Sequence, residues 1–350
     1  MSVFTESCLM ENISEQLLLT FIVPCYNVER FVQRCLDSIY DCDLSEEQFE
    51  IVCVNDCSPD NVQAVLEQNK ARHENIRIVV HGQNKGLGGA RNTGIREARG
   101  KYLWFVDSDD TIIGKGLKTV VNRAVDERAD VFCFNYRRVD GDGKELSRQL
   151  PFAEMSSQEG CAFAENAFQP EGIVYHMGFV WRFLYRTDYL RTHQLYFPEN
   201  VCWEDTVYMP KAIIEADRVA ASADVLYSYR VNADSISGTF TRVYPAKLIF
   251  DFAFCAGGDL LRFSEEVDNE KMKVDFRNTA AHKYINGFSI HLFRTSKSER
   301  KKFYQLTKDR VAEVKPLKQE MVLLCKLLLL PVIGPALAEI GSLVYGVTHK

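Results

Sequence analysis

Tyr102-Leu103-Trp104-Phe105-Val106-Asp107-Ser108-Asp109-Asp110 is an apolar run that ends abruptly in four polar residues, three of them carboxylates. An unbroken apolar run of this length suits a strand buried on both faces of a parallel sheet. In such sheets ligands sit beyond the carboxyl ends of the strands, so the acidic tail marks a place where chemistry would be done. The same design recurs upstream. Leu17 to Val23 is continuous and apolar, is stopped by Pro24 and leads into Tyr26-Asn27. Phe49 to Val54 ends at Asn55-Asp56, and Ile76 to Val80 reads as a further strand. Helical patterns lie between them. Val28 to Ile39 carries Phe31, Val32, Cys35, Leu36 and Ile39 on one stripe; Pro59-Asp60 opens a helix to about Ala71; Gly86 to Ala98 begins in a glycine-rich turn. This alternation predicts a doubly wound α/β half over about residues 17–135, built on a mostly parallel sheet.

Past Tyr136 the pattern changes. Asp140-Gly141-Asp142-Gly143 has the chemistry of a hairpin turn, and from Pro245 onward helical patterns dominate. The expected divisions are an N-terminal extension (1–16), a first half (17–110) and a second half (111–240) of the α/β region, a helical region (241–320) and an apolar C-terminal segment (321–350). The 350 residues are 46% hydrophobic and 26% charged, which excludes a disordered, collagen-like or small disulfide-stapled protein. A net charge of −6 gives no bulk attraction to nucleic acid. The eleven cysteines include no CxxC pair, and Met1 to Gln16 has no basic segment of a secretory signal. Free thiols and a cytoplasmic location, at most peripheral to the inner face of the membrane, are the expectation.

Three strand ends therefore carry the chemistry: Tyr26-Asn27, Asn55-Asp56 and Asp107-Ser108-Asp109. If those strands are neighbours, the three face one crevice. Asp107 and Asp109 are two apart in an extended segment and direct their carboxylates to one side. That suits Mg²⁺ or Mn²⁺ when phosphate oxygens and water fill the remaining positions; an acidic turn capping the next helix is the plainer alternative. Asp56 can accept from the N–H or O–H groups of a nucleoside, or it can cap the helix near Pro59. The glycine-rich start of Gly86 to Asn92, with Arg91, suits a diphosphate at a helix N-terminus. Trp203-Glu204-Asp205 precedes an apolar helix over Val207 to Ile214. Its carboxylates complement the helix dipole, or one serves as a general base tuned by burial beside Trp203.

Together these segments resemble the inverting glycosyltransferases of family 2, which have the GT-A fold. Phe21 to Glu29 looks like the family's opening strand, and Ile51 to Asp60 resembles its VDDGSxD nucleotide-binding segment. Gly89-Ala90-Arg91-Asn92-Thr93-Gly94 and the stretch from Gly100 to Asp110 match in order and spacing, and Glu204-Asp205 is similar to the family's Glu-Asp pair. The resemblance covers about residues 18–238 and implies that 17–110 is the nucleotide-sugar-binding half and 111–240 the acceptor-binding half. It implies a nucleotide-diphosphate sugar donor lined by Pro24, Tyr26, Asn27, Asn55, Asp56, Arg91, Asp107 and Ser108. It also implies a divalent metal on Asp107 and Asp109, a base at Asp205 beside Glu204, and a glycan or lipid-linked acceptor. Two positions depart from the pattern. Asn55 stands where aspartate is usual, and Cys57 replaces a glycine, so a positive φ there would be costly. Tyr227-Ser228-Tyr229-Arg230 and Ser235-Ile236-Ser237 also resemble a segment of bacterial members, at the cleft mouth or in an edge strand.

A sugar-nucleotide pyrophosphorylase would want a glycine-rich, arginine-containing loop after the first strand, and Pro24-Cys25-Tyr26-Asn27 is not that. A catalytically silent sugar-nucleotide-binding or assembly subunit is the reading from another class; retention of Asp107, Asp109 and Asp205 speaks against it. The seven histidines show no ligand spacing, and GxSxG and HExxH are absent. Arg294 to Lys326 carries a local net charge of +6 before the apolar Met321 to Val347, whose longest charge-free run is 12 residues. A membrane span wants about 20. A basic and then apolar segment suits an in-plane anchor on an anionic membrane surface, with a helix docked on the core as the alternative.

Overall fold

The computed structural model describes residues 17–167, 178–231 and 251–292, together with 307, 309, 310 and 314. The chain divides into two compact units, one of residues 1–168, 179–200 and 208–232, the other of 169–178, 201–207 and 233–350. In chain order the first unit begins β1 (Leu19–Cys25), α1 (Glu29–Tyr40), β2 (Phe49–Asn55), α2 (Val62–Lys70), β3 (Ile76–Val80), α3 (Gly86–Glu97) and β4 (Tyr102–Phe105). It continues with β5 (Thr111–Ile112), α4 (Leu117–Asp126), β6 (Val131–Val139), β7 (Glu145–Gln149), β8 (Met155–Gln158), α5 (Gly160–Ala167), β9 (Phe183–Arg186) and α6 (Thr187–Thr192). Helix α7 (Asp205–Ile214) and strand β10 (Val219–Arg230) follow, and the second unit carries α8 (Ala256–Glu266) and α9 (Glu270–Leu292).

The ten strands form one sheet in the order β3-β2-β1-β4-β9-β6-β10-β5, with β7 on β6 and β8 on β10. β3, β2, β1 and β4 are mutually parallel, whereas β9 runs antiparallel to both β4 and β6. Every residue of β1, β2 and β4 is buried, as their largely apolar patterns predict, and the polar Thr20 and Glu50 pair with each other inside. Phe21, Trp104 and Phe134 interlock at ring separations of 5.6 and 4.9 Å at the centre of the core. Helix α1 packs Val32, Cys35, Leu36 and Ile39 onto the sheet, while Phe31 of the same stripe is only half-buried.

Pro24 does not end the first strand; it lies inside β1, opposite Val54. Ile22 and Pro24 direct their backbone polar groups toward β4, and pairing there stops at Ile22 with Phe105. Proline's missing N–H therefore forfeits no ladder bond. The second helix starts at Val62, later than Pro59-Asp60 suggests. The Asp60 carboxylate accepts the Val62 N–H at 3.3 Å at that start, and also the Glu29 N–H at 2.7 Å and the Ser58 hydroxyl at 2.5 Å, tying the loop to α1. The Asp140 to Gly143 turn does join an antiparallel pair, β6 and β7. Residues 235–237 and the C-terminal segment from 321 lie outside the described residues. Among the described residues, no helix is long and apolar enough to cross a membrane.

In the second unit Phe263 of α8 meets Phe276 of α9 edge-on at 5.0 Å. Lys283 of α9 is buried, 7% exposed. Burial pulls its ammonium down to about 8, against the opposing attraction of Asp205.

Two predictions follow from this packing. A Cβ at Gly100 would lie 2.6 Å from the Thr20 nitrogen and 2.7 Å from the Leu19 carbonyl carbon, so β1 itself would have to move. Gly100→Ala should lower stability by about 1–3 kcal/mol, read from the urea midpoint. Lys283 holds its proton less tightly folded than unfolded, so between about pH 8 and 10.5 the unfolded chain binds more protons and stability rises with pH. Relative to Lys283→Met, the native chain should gain on the order of 3 kcal/mol across that window. A stability difference that stays flat from pH 7 to 10.5 would show that the lysine is not held charged at a cost.

Candidate active site

The adjacent order β2-β1-β4 brings the three polar strand ends to one edge of the sheet. Tyr26 leaves β1 half-exposed, and Asn27 takes a left-handed φ of 56° while its N–H donates to the Ser58 hydroxyl at 2.7 Å. Asn55 closes the β2 end. Its Oδ1 accepts the Ser58 N–H at 2.9 Å and its Nδ2 donates to Gln63 at 2.8 Å. A carboxylate could make only the first of these bonds, so the amide joins the loop to α2. Cys57 adopts a φ of 56°, the strained conformation its replacement of glycine foreshadows.

Asp56 is buried behind this loop. Its Oδ1 accepts from His81 Nδ1 at 2.6 Å and from the Lys85 N–H at 2.8 Å. Nε2 of the same ring lies 2.8 Å from the Thr93 hydroxyl, which donates to the Gly89 carbonyl at 3.2 Å. A chain of polar contacts thus runs from α3 to Asp56. The bonds to Asp56 fall on one oxygen, leaving Oδ2 as the atom to meet an incoming donor. His81 is a site residue that sequence reasoning placed only as surface or core; its register five residues before Gly86 carries no signal without knowing that β3 lies beside β2.

At the end of β4 the carboxylates separate into distinct roles. Asp107 Oδ1 accepts from Arg91 at 2.8 Å. Arg91 is itself buried, with its guanidinium 5.4 Å from the Phe197 ring. Asn92 next to it pairs both ways with the Phe197 backbone, donating at 2.9 Å and accepting at 2.7 Å. Ser108 is buried. Asp109 Oδ2 lies 3.8 Å from Arg230, whose Nε donates to the Asp109 carbonyl at 2.8 Å and whose guanidinium stacks 3.7 Å over Phe31. Asp110 is the buried member: it accepts from the Tyr227 hydroxyl at 2.8 Å and from the Arg230 N–H at 2.6 Å. Burial, and then the charges of Asp109 and Asp107, push Asp110 well above the usual carboxylate range.

This concentration of negative charge is what a divalent cation would relieve, so the residues fit Mg²⁺ or Mn²⁺ held by Asp107 and Asp109. No group of three or more potential protein ligands converges among the described residues. A cation here would take most of its ligands from phosphate and water, as Mg²⁺ commonly does. Arg30, Arg34 and Arg230 line a cleft together with Asp109. Glu204 and Asp205 belong to the second unit. Trp203 precedes them with a φ of 68°; Glu204 is the buried one, whereas Asp205 is partly exposed as the first residue of α7.

The description "Glycosyl transferase family 2" matches residues 20–193. The chain is 35% identical over 228 residues to the uncharacterized glycosyltransferase EpsJ of Bacillus subtilis, covering 63% of each protein. It is 30% identical over 263 residues to the succinoglycan biosynthesis protein ExoO of Rhizobium meliloti, covering 73% of this chain and 72% of that one. The chain thus spans less than two thirds of EpsJ. Its backbone resembles S. aureus TarS 1-349 in complex with UDP-GlcNAc at a TM-score of 0.68, with 23% identity over 93% of this chain and 88% of that one. The mixed sheet with polar strand ends at one edge, and the extent of the match to ExoO, lead to one conclusion: the chain belongs to glycosyl transferase family 2.

Proposed function

We propose that this protein is an inverting glycosyltransferase that moves a sugar from a uridine-diphosphate donor to a hydroxyl of a glycan or lipid-linked acceptor. The observation that carries the reading is the convergence of Tyr26, Asp56 and the Asp107–Asp110 loop on the edge formed by β2, β1 and β4. The UDP-GlcNAc complex of TarS, which shares the fold, supports the uridine donor. In this reading Tyr26 offers its exposed ring to the base and Asp56 accepts from a base N–H through Oδ2. Arg91 keeps Asp107 extended toward the diphosphate, and Arg230 adds positive charge beside Asp109.

Asp205 takes the proton from the acceptor hydroxyl as that oxygen forms its bond to the anomeric carbon. The bond from that carbon to the diphosphate oxygen breaks on the opposite face, so the configuration inverts and the nucleoside diphosphate departs. Glu204, buried next to it, supports the acidic start of α7. A bound Mg²⁺ or Mn²⁺, held by Asp107 and Asp109, supplies Lewis-acid stabilisation of the charge that develops on the leaving diphosphate. The basic and apolar C-terminus, outside the described residues, would confine the enzyme to an anionic membrane surface beside a lipid-linked acceptor.

Release of UDP from a panel of UDP-sugars, with and without Mn²⁺, tests the reading. The expected result is metal-dependent release from at least one donor, abolished by chelator. Asp109→Asn should lower kcat/KM by at least roughly a hundredfold. Asp205→Asn keeps the shape of the side chain and cannot take a proton, so kcat should fall by roughly 10²–10⁴ while UDP affinity holds. Turnover that survives in Asp205→Asn but not in Glu204→Gln would move the base by one residue. Nucleotide binding without turnover of any donor would favour a silent binding subunit.

A further inference from the structure

Beyond the acidic loop, the sheet carries a stack of aromatic rings that the proposed chemistry does not use. Trp181 lies face to face with Tyr227 at 4.3 Å and 9°, and Phe179 stacks on Trp181 at 5.0 Å and 24°. Tyr229 is near-parallel to Trp181 at 5.6 Å, and Tyr136 meets Trp181 edge-on at 4.8 Å. The stack has a buried foot and an open cap: Tyr227 is fully buried, Trp181 is 3% exposed and Phe179 is 41% exposed. Trp181 covers one face of the Phe179 ring, and Tyr136 meets it edge-on at 6.1 Å, while the residue as a whole stays open to solvent. Its backbone sits at φ 88° and ψ 93°. A bulky residue keeps such a conformation only where its surroundings hold it there, and such residues gather at functional sites.

The foot of the stack is joined to the candidate site. The Tyr227 hydroxyl accepts the Asp107 N–H at 3.1 Å and donates to Asp110 at 2.8 Å. Sheet order extends the relation: the nucleoside residues end β1 and β2 and the acidic loop ends β4, while Tyr136 lies on β6 and Tyr227 and Tyr229 lie on β10, farther along in the same direction. We infer that Phe179, capping Trp181, is a stacking platform for a pyranose ring of the acceptor glycan. The apolar C–H face of a sugar matches one aromatic face, and a single exposed ring is far smaller than the roughly 800 Å² a protein partner covers. The inference rests on the sugar-transfer reading for the identity of its occupant as acceptor.

Saturation-transfer NMR on the full chain with UDP and Mg²⁺ tests it directly. The probes are methyl β-D-glucopyranoside, methyl N-acetyl-β-D-glucosaminide and methyl β-D-galactopyranoside. At least one should receive saturation on its ring C–H protons. That signal should fall at least threefold in Phe179→Ala and in Phe179→Leu, which keeps apolar bulk without the ring, and persist in Phe179→Tyr. No signal from any of the three probes, or equal signal in Phe179→Leu, overturns the platform. Loss of the signal when the site is saturated with an intact UDP-sugar would assign the ring to the donor and overturn the acceptor role. Failure of the sugar-transfer reading shows separately, as no UDP release by the unaltered chain from any donor.

Discussion

The parallel pairing of β1 with β2 on one side and β4 on the other is the constraint on which the rest depends. These strands are buried on both faces, so their backbone polar groups have nowhere to go but each other. In-register pairing of Leu19 with both Phe49 and Tyr102 ends all three strands at one edge. Side chains at those ends then meet without any further device. Thr20 and Glu50 secure the opposite end, where the Thr20 hydroxyl donates to Glu50 at 2.9 Å and accepts the Gly100 N–H at 2.9 Å.

Crowding three carboxylates at the end of β4 has an electrostatic cost that the surrounding residues offset in three ways. Arg91 meets Asp107 from α3, Arg230 meets Asp109 from β10, and Tyr227 donates to Asp110. Asp110 is displaced well above the usual carboxylate range, because it is buried beside two like charges. The loop is therefore held by its own partners: Asp110 anchors it to β10, Arg91 fixes Asp107, and Asp109 lines the cleft with Arg30, Arg34 and Arg230. Preorganisation of this kind is what lets electrostatic stabilisation act without reorganisation during reaction.

The end of β2 uses the opposite arrangement, a single buried carboxylate with its partners on one oxygen. Asp56 is held by His81 from beyond β3 and by a backbone N–H at the start of α3. The two departures from the family pattern fall in the same loop, and each has a structural consequence. The Asn55 amide supplies a donor to Gln63 that aspartate would lack, and Cys57 accepts a left-handed backbone at its own expense.

What the sequence alone determined is whatever depends on local pattern: the apolar runs that become β1 to β4, the helices between them, and the polar residues that follow each run. Burial on both faces favours a mostly apolar run, and strand ends near a ligand need polar groups, so both are written in consecutive residues. Pro24 was misplaced because a missing N–H matters only where a neighbour would have received it, and the neighbour is chosen by sheet order. Tertiary structure alone decided that Arg91 serves Asp107, that Arg230 stacks on Phe31, and that Tyr227 bridges the acidic loop to Trp181. Those partners lie from 16 to 199 residues apart in the chain, and β9 inserted between β4 and β6 sets which rings and charges can touch. No local periodicity encodes that choice, because it is made by the packing of strands against one another.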